Sequence, residues 1–151
     1  MKLTDKWFSS LSADENDNLV IVTGRDDIME FVESGKFKER AEIYWKYEGD
    51  VKGMPSEKLS EQMEEVEVAL RKAMEKDKLA ILTGIYTGGN QKTWVFICRT
   101  VKVFGERLNE ALASFDVLPI EIYTEKDPEC EEYLDMLEMR GWAGDGEDDD
   151  E

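Results

Sequence analysis

Leu79–Thr100 reads LAILTGIYTGGNQKTWVFICRT. Two runs rich in β-branched and aromatic residues flank a turn containing Gly88, Gly89 and Asn90, a pattern that predicts a β-hairpin. In the second run Trp94, Phe96 and Cys98 alternate with Val95, Ile97 and Arg99. In the first, Leu79, Ile81 and Ile85 oppose Leu82 and Tyr86. Both faces are partly apolar, as expected of strands covered on two sides. The Thr87–Asn90 turn leads into a strand and lacks the lysine of a phosphate-binding loop, so it is read as a hairpin turn. Gly84 marks a bulge or a close contact.

On the N-terminal side of the hairpin, Leu59, Met63, Val66, Leu70, Ala73 and Met74 recur at helical spacing within Ser56–Asp77. Ser56 is placed to cap this helix, and its acidic first turns and basic end suit the helix dipole. Before it, Ala41, Ile43, Trp45 and Tyr47 alternate with Glu42, Tyr44, Lys46 and Glu48, the signature of a half-buried strand. Lys6–Leu11 and Leu19–Thr23 read as two short strands, followed by a short helix at Ile28–Ser34 capped by Asp27. After the hairpin, Val101, Phe104, Leu108, Leu112 and Phe115 mark a second amphipathic helix. Val117–Thr124 is then a strand, with Ile120 and Ile122 facing in and Glu121 and Tyr123 out. Asp127–Pro128 opens a last helix carrying Cys130, Tyr133, Leu134 and Leu137, stopped by Gly141, with Trp142 as an anchor.

Strand, helix, strand, strand, helix, strand from Glu39 to Thr124 predicts an α+β fold of the ferredoxin-like βαββαβ plait, with both helices on one face of an antiparallel sheet. Right-handed crossovers put Glu39–Glu48 and Trp94–Arg99 in the centre, with Leu79–Tyr86 and Ile120–Thr124 outside them. The N-terminal strands either extend this sheet or cross its open face. A single domain is expected over residues 1–142, with its plait core at 39–124 and a disordered acidic tail at 143–151.

WVFICRT, FGERLNEAL, PIEIYTEKDPECEEY and YWKYEGDVKGMPS together resemble a bacterial domain-of-unknown-function family, number six-nine-five, over roughly Trp7–Tyr133. The resemblance implies no catalytic motif. More loosely, a plait with an acidic tail is similar to the regulator of ribonuclease activity B, and that likeness implies inhibition of an enzyme by binding it.

Composition narrows the chemistry. Histidine is absent from the 151 residues, which excludes Ser–His and Cys–His catalysis and histidine-ligated zinc. The formal net charge is −17, so phosphates and anionic membranes are repelled and a basic protein partner is attracted. The charge also serves solubility by itself. No apolar leader or membrane-length run is present, and Cys98 and Cys130 read as reduced, packed thiols, so a cytoplasmic location is expected. Paired carboxylates such as Glu64/Glu65 and Glu131/Glu132 are read as solvated. No calcium-loop pattern occurs, and no metal or cofactor is expected. The strand TWVFICRT lacks the RNA-recognition consensus, and parity turns Trp94 and Phe96 toward the helices.

The opposite, open face is predicted to carry Tyr44, Tyr86, Val95, Ile97, Arg99 and Tyr123, framed by Glu42, Lys46 and Glu121. A tyrosine-rich face suits a protein interface, unless the N-terminal hairpin or last helix covers it. The leading expectation is a non-enzymatic protein-binding or regulatory domain with a basic partner. The alternatives are a small-molecule-binding domain or weak enzyme with a pocket between sheet and terminal elements, and a homodimer formed through the sheet face.

Overall fold

The computed structural model describes residues 2–144. The elements are β1 (Trp7–Ala13), β2 (Leu19–Arg25), α1 (Met29–Glu33), β3 (Glu39–Lys46), α2 (Glu57–Glu75), β4 (Ala80–Gly88), β5 (Gln91–Cys98), α3 (Val101–Ala111), β6 (Ile120–Lys126) and α4 (Glu131–Gly144). All strands form one sheet in the order β1-β2-β4-β5-β3-β6, every neighbouring pair antiparallel. The fold is therefore α+β, but the sheet is wider than four strands. β4 is an interior strand, because β2 pairs along it from Val20↔Gly88 to Gly24↔Gly84. The N-terminal hairpin thus extends the sheet rather than crossing it.

The hairpin at the centre of the chain forms because Gly89 (φ 62°) and Asn90 (φ 68°) both take the left-handed conformation that a two-residue turn of this twist requires. The register between β4 and β5 slips between Leu82 and Gly84, leaving a bulge at Thr83. The bulge frees backbone groups that a buried ion pair then takes up. The Leu82 N–H donates to Glu75 Oε2 (3.0 Å), and Arg25 Nη1 donates both to the Leu82 carbonyl (3.0 Å) and to Glu75 (2.8 Å). Arg25 is 1% exposed, and its guanidinium also lies over the Trp7 ring, so one side chain ties β1, β2, β4 and α2 together.

Two apolar layers sandwich the sheet. On one side α2 and α3 cover Ala41, Ile43, Trp45, Leu82, Trp94, Phe96 and Cys98, so Trp94 and Phe96 do face these helices. On the other, α1 and α4 cover Val22, Ile81 and Ile97 with Phe31, Tyr133 and Met136. Ser56 caps α2, its hydroxyl accepting from the Leu59 N–H at 3.1 Å. Cys98 and Cys130 are free and buried, one in each layer.

Three local expectations are corrected. Asp27 makes no cap for α1; it has φ 59° and pairs instead with Lys6. Pro128 is not the first helical residue: Asp127 does cap α4, accepting from the Glu131 N–H at 2.9 Å, but the helix begins only at Glu131, after Cys130 in the left-handed region. Gly141 does not stop α4, which runs to Gly144 because one glycine in a helix costs only about 1 kcal/mol. The Trp142 side chain and the tail from residue 145 onward lie outside what is described. Ile122 is 44% exposed, since β6 is an edge strand that α3 does not fully overlie.

Candidate functional site

α4 seats on the sheet through Met136, which rests where Gly24 and Gly84 stand opposite each other on β2 and β4. It contacts β1, β2 and β4 and leaves Glu42 and Tyr44 of β3 only half-buried on the same face. The result is a groove of roughly 460 Å³, open to solvent. Its floor is Val20, Gly88, Thr93 and Val95. Tyr44 and Glu42 from β3 form one wall, Tyr86 and Glu132 the other, and Asp14–Asn16 of the β1–β2 turn close an end.

The residues expected on this face divide. Tyr44, Tyr86 and Val95 line the groove together. Tyr123 is opposite Glu42 in register and thus on the same face, but it stands outside the groove on the edge strand, its hydroxyl on Glu125. Ile97 is 2% exposed beneath α1 and α4 and is core. Arg99 leaves the face entirely: β5 ends at Cys98, and Arg99 donates to the Asp77 and Lys78 carbonyls at 2.9 and 3.0 Å, closing the C-terminal end of α2. The expected face was therefore partly covered and partly bare.

Polar groups in the groove are arranged as acid–phenol pairs. Tyr86 donates to Glu132 Oε2 at 2.6 Å, and Tyr44 donates to Glu42 Oε1. Burial, and then the neighbouring carboxylate, pushes both phenols far above their ordinary range, so each remains a protonated donor. Glu42 Oε2 accepts from Arg40 Nε at 2.7 Å. Arg40 also donates to Asp127 (2.9 Å) and Glu125 (3.1 Å), so its charge is shared behind the wall. Asp14 turns its carboxylate onto the Asn16 and Asn18 N–H groups, and the Asn18 bond holds it below the usual carboxylate range.

Glu132 was expected to be solvated and is instead half-buried in the groove wall. The signal for it was the fully buried Met136 four residues on, since residues i and i+4 share a helix face. Among the described residues no group of three His, Cys, Asp or Glu is placed to hold a metal, and no helix is long and apolar enough to cross a membrane.

No curated protein and no solved structure matches this chain. A family model does, over residues 5–138, which takes in all six strands and the part of α4 that walls the groove. The chain belongs to the family of unknown function DUF695.

Proposed function

We propose that the chain is a non-enzymatic binding domain whose groove holds a cationic side chain of a basic protein partner. One observation carries this reading: the groove is lined by Asp14, Glu15, Glu42 and Glu132 with two tyrosines, and by no lysine or arginine. An ammonium or guanidinium entering it meets carboxylates beside Tyr44 and Tyr86, and an aromatic contact favours a cation by about 0.5–2 kcal/mol. The overall charge of −17 steers basic partners toward the surface and repels nucleic acid and anionic lipid. A cytoplasmic, regulatory role fits this chemistry. We read β3–α2–β4–β5–α3–β6 as a ferredoxin-like plait widened by β1 and β2. In support, the order β6-β3-β5-β4 is retained within the sheet, and α2 and α3 share one layer.

The test is titration of the isotope-labelled chain with short arginine-containing, lysine-containing and glutamate-containing peptides. The basic peptides are expected to bind, shifting the amide signals of Tyr44, Tyr86 and Val95. Binding should weaken as salt rises from about 0.01 M to about 1 M, which shortens the screening length from ~30 to ~3 Å. Equal binding of acidic and basic peptides, or none, overturns the reading.

The groove's volume favours a second reading, because it falls within the range of about 300–1,000 Å³ typical of small-molecule sites. A small amine or guanidine would then be the ligand, held between the sheet and the terminal elements. Thermal-shift screening of such compounds separates the two, since only a bound one raises Tm.

A further inference from the structure

The groove's two walls are not equivalent. Glu42 has both carboxylate oxygens engaged, one by Arg40 and one by Tyr44. Glu132 has one: Oε2 accepts from Tyr86, while Oε1 is buried and has no hydrogen-bond partner. An ionised carboxylate in that position leaves a buried, charged acceptor unmatched, which is unfavourable. A carboxylic acid carries no charge, so the unmatched group is then a neutral one.

The surroundings act the same way. Tyr86 from β4, Arg40 and Glu42 from β3, and Asp127 from the turn before α4 face Glu132, and Asp135 of α4 acts on its partner Tyr86. Three of these five are carboxylates, and the one cation is already shared among Glu42, Asp127 and Glu125. Burial first, and then Glu42 and Asp127, hold Glu132 above the usual carboxylate range, although the Tyr86 hydrogen bond opposes this.

We infer that capture of a basic side chain is proton-linked: the incoming ammonium or guanidinium takes the place of a proton on Glu132. This rests on the groove being a cation site. The protonated Glu132 carboxyl loses H⁺ to solvent, its carboxylate pairs with the arriving cation, and no other bond changes. The cation supplies the countercharge that an ionised Glu132 lacks, and Tyr86 keeps its bond to Oε2. The groove therefore fills more tightly as pH rises, until Glu132 is ionised in the free protein.

Two measurements on the full chain test this. The first follows the Glu132 side-chain carboxyl by ¹³C NMR across pH in the free protein. The expected midpoint lies above the unperturbed value of about 4.3; a midpoint at or below it overturns the inference and leaves the groove reading intact. The second is calorimetric titration with an arginine-containing peptide in buffers of different ionisation enthalpy. Wild type is expected to release up to one proton on binding, its affinity rising toward about tenfold per pH unit below the Glu132 midpoint. Glu132→Gln should bind more weakly and release none from this site, whereas Glu42→Gln should bind more weakly and keep the release. Equal proton release by wild type and Glu132→Gln overturns the inference. Absence of binding by wild type at every pH overturns the groove reading and the inference with it.

Discussion

Alanine at Gly84 tests whether α4 is seated on the sheet as described, and the sign of the effect is informative. A Cβ built on Gly84 comes within 2.4 Å of Met136 Cε and 2.6 Å of its sulfur, more than 1 Å inside ordinary contact. Met136 cannot simply slide away. It is fully buried, its sulfur is 3.0 Å from the corresponding Cβ position on Gly24, and the Phe8 ring closes the far side of that glycine. Overpacking of this kind costs about 1–3 kcal/mol. Against that, Gly84 has no positive φ, so replacing a strand glycine by alanine recovers about 0.5–1 kcal/mol. The net expectation is a loss of up to roughly 2.5 kcal/mol. Met136→Ala alone should cost about 2–5 kcal/mol through the cavity it leaves. In that background the clash is gone, and Gly84→Ala should become stabilising. Equilibrium urea unfolding of the four variants, compared by midpoint at constant slope, measures the cycle. Gly84→Ala stabilising the wild type, or having the same sign in both backgrounds, refutes the seating of α4 on Gly84 and with it the groove wall.

Arg40 is 13% exposed at the side chain and holds Glu42, Glu125 and Asp127, so Arg40→Ala leaves three carboxylates facing one another and should cost about 3 kcal/mol in the same assay. Glu132→Gln should change stability in a pH-dependent way. The native carboxyl titrates above its unfolded value, so its protonated form contributes stability that is fully present below about pH 4 and is lost as pH rises through the native midpoint. The variant carries no charge, so it should exceed wild type in Tm near neutrality and converge with it in acid; an unchanged difference across pH would show that Glu132 is not perturbed.

Much of the fold was written in local patterns. The alternation in Ala41–Lys46 and Trp94–Cys98 and the helical spacing from Leu59 to Met74 all correspond to observed elements and layers. The bulge or contact expected at Gly84 is both, since the register slips beside it and Met136 presses on it. What failed locally were the helix ends, where competition decides: Asp27 finds Lys6 instead of the first turn of α1, and α4 outruns Gly141. The Arg25–Glu75 pair was invisible because its two members are 50 residues apart and are needed only once a bulge has freed Leu82.

The groove was half legible for a related reason. Period-two alternation states which residues share a sheet face, and it correctly put Tyr44, Tyr86 and Val95 on one side. It carries no information on how far a helix arriving from the end of the chain will reach across that side. Here the reach of α4 is fixed by two glycines 60 positions apart in sequence and opposite in register, Gly24 and Gly84, which together make the flat place that Met136 fills. From that anchor, Glu132 lies one helical turn back along the same face, and this is what brings its carboxylate to Tyr86. The same seating buries Ile97 and leaves Tyr44 half-buried in the groove wall. The acid–phenol pair in the groove wall is thus a product of packing on the far side of α4's contact, and moving Met136 should alter the titration of Glu132 without touching either Glu132 or Tyr86.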